Sequence, residues 1–504
     1  MEKVVLEAGS KKSVVSILEG DKAIALLHED AFRQQWSILL QAPGNTSVFQ
    51  DASFVLPWYK ENLQEYSPVI VVAFADNLLV GLLTLGRGIH AGKGKPSNRL
   101  IGAGNFFALY QSWIVLPDYR LEFWNQGLQL LLKRIPGCLI NLKFLPDVEI
   151  FRTMEHFPNF RRMTVLDKSY NPVLDFQVEG YEKIFGKRHF KSKINRLNRA
   201  GKVKFEKITD EGELEKVFPQ IAEYYSIRQG AAFNKTPYSQ GVKDWQVYLE
   251  WLKSGVLNVT GLWLDEVLIS LIIMINDYGK TAHLAGLITY SPRHAKLSPG
   301  LVHLYLASHL LKEDSFHHLK LSPGYDAYKE RFSNRQEEIY ELLISASQFQ
   351  IIKRKLRILL RKVLLNRGIR PMELEVWLSK MKSKLLNRIW GFPKRFKTGN
   401  MTFNELISKL DSLAGKSDDF LVNFDNQPLD VLLLVHDRTF HISRWEFLED
   451  SLKRLEENEK FVAYVFKKKL KVCIWYTGEA VTLQKLSQDS LKGNVTKIFV
   501  SHDF

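Results

Sequence analysis

The sequence predicts an α/β protein with mixed sheets, in which one helix–hairpin–strand–helix–strand unit occurs twice. A basic helical segment and a small C-terminal α/β domain follow. Three observations predict this. Two apolar hairpins recur about 180 residues apart. The segments around each hairpin come in the same order. The positive charge falls in two short stretches rather than along the whole chain.

The first hairpin, Val69 to Leu85 (VIVVAFADNLLVGLLTL), is rich in β-branched and aliphatic residues around an Asp76-Asn77 turn. The second, Val256 to Ile275, has the same layout around Asp265-Glu266. Helical stretches precede them at Ala31 to Leu40 and Glu213 to Arg228. A further strand follows each, Ser112 to Leu116 and Leu284 to Tyr290, and then a loop with Pro117 or Pro292. Helices Phe123 to Arg134 and Gly300 to Lys312 come next, with apolar residues three and four apart. Strands Leu139 to Pro146 and His317 to Pro323 close the units, and both contain Leu-Lys-x-x-Pro. The matched order favours duplication over chance. It divides the chain at 1–165, 166–345, 346–400 and 401–504.

A chain of 504 residues corresponds to about three domains. At 45% hydrophobic residues it is too apolar for a disordered protein. Two cysteines, Cys138 and Cys473, make neither a disulfide framework nor a zinc cluster. No spacing of His, Asp or Glu suggests a metal site, so none is expected. The N-terminal MEKVVLEAGSKKS has no apolar signal-peptide core. Asp76 and Asn77 interrupt Val69–Leu85, and Val267–Ile275 is too short to span a bilayer. A cytoplasmic protein, peripheral at the inner face of a membrane, is the expectation.

The net charge is +15. Residues 351–400 hold fifteen Lys and Arg against Glu373 and Glu375, a net +13. Lys187 to Lys204 adds +8 with no acid, which leaves the rest at −6. That distribution argues against a surface-wide nucleic-acid binder.

Several motifs carry a resemblance to a known family. They are Leu297-Ser-Pro-Gly300 before the helix, Gly324-Tyr-Asp-Ala-Tyr328-Lys329-Glu-Arg-Phe332, and the basic run Lys187 to Arg196. Val48-Phe-Gln-Asp-Ala-Ser-Phe54 followed by Trp58 is a further match. With the element order, residues 20 to 345 resemble a tandem pair of GNAT acyltransferase folds. The pair is similar to the Fem-type aminoacyl transferases and, more closely, to the CelD-like acetyltransferase-domain proteins of exopolysaccharide and cellulose gene clusters.

The resemblance implies an acyltransferase using acyl-CoA, typically acetyl-CoA, on an amine or hydroxyl of a sugar or cell-envelope precursor. It implies an active cleft in the second unit, while the first is structural or shapes the acceptor site. Helix N-termini attract phosphate, so Ser298 and Gly300, with Arg293, Lys296 and Leu301, are the expected cofactor residues. Ser298 would cap the helix. The loop His294 to Gly300 departs from the family's Arg/Gln-x-x-Gly-x-Gly/Ala in having one glycine. A plain helix start explains Ser-Pro-Gly equally well. Tyr328, Lys329 and Asp326 are the expected catalytic residues, Tyr donating a proton to the leaving thiolate. A packed Tyr328 and a solvated Lys329 on a helix capped by Asp326 is the plain alternative. Arg188, Lys191 and Arg196 would meet an anionic acceptor or the cofactor phosphates, unless that helix is simply solvated.

Two other functions stay open: aminoacyl transfer from tRNA, and a non-catalytic assembly role in a polysaccharide machine. The first half's loop, Leu116 to Glu122, carries Asp118 and Glu122, which would repel phosphate. The glycine-rich stretch Gly86 to Gly94 lacks a Gly-Lys-Ser/Thr ending and is expected to be a loop. Ile351 to Gly368 alternates apolar pairs with cations and suits an anionic membrane surface, RNA, or packing on a neighbouring domain. Trp377, Trp390, Phe392 and Phe396 are candidate interfacial anchors. Beyond Lys397, strands are expected at Val431–His436, Phe461–Phe466, Leu470–Tyr476 and Lys497–Val500, with helices at Phe403–Leu413 and Ser443–Asn458.

Overall fold

The computed structural model describes residues 13–42, 47–90, 96–146, 148–155, 158–238, 245–324, 326–389, 403–413, 419–422, 429–436, 439–440, 442–478 and 495–501. Thirteen strands build one continuous sheet. Those of the first repeat are β1 (Val14–Glu19), β2 (Tyr66–Ala75), β3 (Leu78–Ile89), β4 (Pro96–Gly102), β5 (Ile114–Val115), β6 (Leu139–Leu145) and β7 (Thr164–Asp175). Those of the second are β8 (Val203–Ile208), β9 (Leu257–Leu264), β10 (Val267–Asp277), β11 (Thr281–Tyr290), β12 (His318–Lys320) and β13 (Arg335–Ser345).

The sheet order is β1-β2-β3-β4-β6-β13-β7-β12-β11-β10-β9-β8, with β5 added on β3. Apart from β5, the order matches from both ends, as a duplicated unit requires. The last strands are exchanged: β13 lies between β6 and β7, and β7 between β13 and β12. The expected boundary at 165/166 therefore falls inside β7, a strand that ends one repeat and pairs within the other.

Both predicted hairpins form. Asp76 and Asn77, and likewise Asp265 and Glu266, all have positive φ, from 48° to 67°. Such pairs bend the chain with the twist that antiparallel strands need. The helices Asp30–Leu40, Arg120–Arg134, Glu211–Phe233 and Pro299–Glu313 occur where periodicity placed them. The third strand of the first repeat does not. It forms earlier, as β4, and Ser112–Leu116 contributes only the two residues of β5. Of the glycine-rich stretch, Gly86 to Ile89 extends β3, and 91–95 lies outside the described residues.

The basic segment forms two helices, Gln348–Asn366 and Pro371–Ile389. The C-terminal domain has a separate antiparallel sheet of β14 (Asp419–Val422), β15 (Lys460–Phe466), β16 (Lys469–Tyr476) and β17 (Val495–Val500). Val431–His436, expected as a strand, is instead a short helix, Asp430–Leu433, and its extension. A short apolar run does not reveal its period. This helix packs into the cluster beneath helix Glu211–Phe233.

Candidate active site

Strands β11 and β12 run parallel and pair at only three positions, Thr281 with His318, Ala282 with Leu319 and His283 with Lys320. Beyond His283 no strand pairs with β11 on that side among the described residues, although β11 continues to Tyr290. Proline at 323 cannot donate to a ladder, so β12 is released into a turn. One bond crosses the fork: Ser322 Oγ donates to the carbonyl of Leu284 at 2.6 Å.

In the first repeat β4 and β6 part in the same way after Ile101 and Asn141, but their fork is filled. The chain leaves β4 at Gly102 and comes back so that Gln111 sits between the strands. Its N–H donates to the carbonyl of Lys143 at 3.0 Å, and its Oε1 accepts from the Lys143 N–H at 3.2 Å. Glycine at 102 is what admits it, because a Cβ there would stand 2.4 Å from Gln111.

Three cations gather where the second fork meets helix Pro299–Glu313. Lys193 Nζ donates to Ser298 Oγ at 2.8 Å, and Arg196 donates to the carbonyl of Lys296 at 3.1 Å. Arg331 is the third, close enough to act on Lys193. Burial, then Arg196 and Arg331, hold the Lys193 ammonium below its ordinary pKa. Ion pairs among the described residues include none of the three cations. Cations brought together without carboxylates, at the positive end of a helix, make an anion site.

Ser298 is not the side-chain cap that the sequence suggests. Its φ is 56°, it makes no cap bond, and its hydroxyl receives Lys193. Gly300 packs rather than opening space, since a Cβ would meet the Tyr290 ring at 2.9 Å. The same ring carries the Arg228 guanidinium, 3.6 Å from its centre. Leu301 lies against the apolar core of the second repeat. Lys191 lines a 410 Å³ groove between helices Lys187–Ala200 and Pro299–Glu313, with Phe185, Phe190, Ile194, Tyr305 and His309. The side chain of Arg188 and all of Tyr325 lie outside the described residues.

Arg293 and Lys296 face elsewhere. They line a 1120 Å³ cavity with helix Glu211–Phe233 on one side and Leu429 and Asn458 of the C-terminal domain on the other. Lys296 Nζ reaches the carbonyl of Glu457 at 3.4 Å. In the same wall Glu223 accepts the N–H of Leu429 at 3.0 Å. Burial is the largest influence on its carboxyl, whose pKa is pushed up to about 7.

Of the predicted catalytic residues, Tyr328 and Lys329 lie on the short helix Ala327–Arg331 and Asp326 directly precedes it. Lys329 is buried, paired with Asp326 at 3.0 Å and bonded to the carbonyl of Pro323 at 3.3 Å. It is not solvated; it ties down the turn that ends β12. Asp326 binds Lys329 rather than capping the helix. Tyr328 is partly buried against the core, and burial, then Asp326, raise its pKa well above 10.0, so it keeps its proton.

The opposite face of the central strands carries a polar cluster that no local pattern predicts. Lys320 Nζ donates to Tyr110 Oη at 2.7 Å and to Glu337 Oε1 at 2.9 Å. Tyr110 Oη donates to Glu337 Oε2 at 2.6 Å. Beside them Asp277 accepts the N–H of Val48 at 2.6 Å and pairs with His283 Nε2 at 2.9 Å. Burial alone would raise the Asp277 pKa, but His283 and the N–H groups of Val48 and Tyr278 hold it below the ordinary value. Phe49 and Tyr110 meet the His283 ring edge to face, and its buried Nδ1 has no hydrogen-bond partner among the described residues. Both repeats contribute, so no local motif announced the cluster.

Residues 186–330 match the family model of the acetyltransferase (GNAT) domain. The match covers Lys193, Arg196, the open fork and helix Ala327–Arg331 up to Glu330. It gives the chain its enzyme class, an acyltransferase, and domains of this family use acyl-CoA. No curated protein matches the chain. Similar solved structures include FemX, 12% identical over 64% of this chain and 98% of that one, with a TM-score of 0.45. L-PGS from Bacillus licheniformis is 12% identical over 65% and 95%, with a TM-score of 0.42. A tandem GNAT protein from the clavulanic acid biosynthesis pathway is 12% identical over 66% and 99%, with a TM-score of 0.39.

Proposed function

We propose that the chain moves an acyl group from coenzyme A to an amine or hydroxyl of a sugar or cell-envelope precursor such as an exopolysaccharide unit, at the fork of the second repeat. The observation that carries this is the gathering of Lys193, Arg196 and Arg331 at the helix start beside an unfilled fork. The three cations hold the cofactor phosphates. The β11 edge beyond His283 offers backbone N–H and C=O groups to the amide-bearing arm, as a sheet edge does to an added strand. Tyr328, kept protonated, donates to the departing thiolate. Lys329 is a positioning residue that holds Tyr328 and the turn through Asp326 and Pro323. On the opposite face Tyr110, Lys320 and Glu337 present donors and acceptors that suit a hydroxyl-bearing ring.

The N–H groups of His294 and Ser298 are spent inside the 3-10 turn Pro292–Leu297, so phosphate binding depends on side-chain charge. Thermal-shift titration with acetyl-CoA tests the proposal. Stabilisation of about 2.7 kcal/mol at a hundredfold excess over Kd, shrinking as salt rises, is the expected result. No shift at millimolar ligand would remove coenzyme A as donor. The closed turn favours, as second reading, aminoacyl transfer from tRNA. Retention of aminoacyl-tRNA without any acetyl-CoA shift would select it.

A further inference from the structure

Helix Gln348–Asn366 leaves an apolar stripe in solvent. Phe349, Ile352, Leu356, Leu359, Leu360 and Val363 are between 41% and 70% exposed. At about 100° per residue they fall within an arc of about 100°. Lys353 and Arg357 border one side of that arc, and Lys355 and Lys362 the other. The far face holds the helix to the protein. Arg354 reaches Asp167 at 3.0 Å and Glu341 at 2.5 Å, Arg361 bonds Asp167, and Ile351 packs with Val165 and Leu343. Residues 348–372 contain no acid. Helix Pro371–Ile389 also exposes Met372, Trp377, Leu378 and Met381. Trp390, Phe392 and Phe396 lie outside the described residues.

We infer that this face docks on an anionic lipid bilayer. Aliphatic side chains contribute nothing to phosphate contact, which disfavours RNA, and they gain by entering acyl chains. Cations on both flanks are placed to reach headgroup phosphates while their methylene stems cover the edge of the stripe. A second copy of the same face would bring like charges together. The neighbouring domain does not cover the stripe, because the helix is fixed through its other side. No helix among the described residues is long and apolar enough to cross a membrane, so the contact is peripheral. This inference is independent of the acyl-transfer reading.

Co-sedimentation of the full chain with phosphatidylcholine vesicles, with and without phosphatidylglycerol, tests it. Binding should require phosphatidylglycerol and weaken with salt. Leu356→Ser with Leu360→Ser, and separately Lys353→Gln with Arg357→Gln, should each lower vesicle affinity about tenfold or more. All four residues are exposed, and an unchanged thermal midpoint confirms that the variants fold. No binding to anionic vesicles would overturn the inference, as would binding that ignores the leucine pair. Loss of tRNA binding or of self-association in the leucine variant, without vesicle binding, would reassign the face to RNA or to a second copy.

Discussion

In the first repeat β4 and β6 part after Ile101 and Asn141, and in the second β11 and β12 part after His283 and Lys320. The two forks have the same place in a duplicated sheet and different contents. Gln111 bonds across the first through its own N–H and side-chain oxygen. The second is crossed by one hydroxyl and flanked by three cations. On the function proposed above, one half holds the sheet together and the other carries the chemistry. The difference rests on few residues: a chain excursion after Gly102 in one half, and Lys193, Arg196 and Arg331 in the other.

The comparison can be broken at several points. Asp277→Ala should have the largest effect, because Asp277 joins the second repeat to Val48 of the first and its loss strands buried partners. A fall of about 3 kcal/mol in unfolding free energy is expected in denaturant titration. Tyr328→Phe should lower kcat about a hundredfold with little change in the acyl-CoA KM, since it removes a proton donor and no phosphate contact. Because its pKa lies well above 10.0, wild-type kcat should show no alkaline loss from this group below about pH 10. Lys193→Ala with Arg196→Ala should raise the acyl-CoA KM about tenfold in steady-state kinetics, and more salt should narrow the gap to wild type.

Two smaller effects sharpen the contrast. Glu223 has a folded pKa of about 7 against 4.5 for the free side chain, so the folded state binds more protons between those values. Stability should therefore fall as pH rises from 4.5 to about 7, by roughly 2 kcal/mol after allowing for solvent screening of the half-buried carboxyl, and level off above. Glu223→Gln should flatten that slope in pH-dependent thermal melts. Gln111→Ala, in the filled fork, should cost about 1–2 kcal/mol of stability and leave the acyl-CoA KM unchanged.

Much of the fold was legible because local rules and packing agreed. Asp76-Asn77 and Asp265-Glu266 sit between runs that only a sheet could bury, and both became turns with positive φ. The excursion between Gly102 and Ile114 hid the third strand of the first repeat, since its apolar Ala108 to Tyr110 pack as a loop. The exchange of β7 and β13 left no mark in the sequence because a strand's pattern does not name its partner. Half of the candidate site was legible for the same reason. Tyr328 and Lys329 lie on one short helix that Asp326 directly precedes, so they are neighbours in sequence as well as in space. Lys193 meets Ser298 across 105 positions and Tyr110 meets Glu337 across 227, and no spacing rule reaches that far.

Calorimetric titration with acetyl-CoA distinguishes one working fork from two in the duplicated sheet. The account predicts one site per chain, weakened about tenfold by Lys193→Ala with Arg196→Ala and untouched by Gln111→Ala. Two sites per chain, or binding that survives the double substitution but is lost with Gln111→Ala, would contradict it.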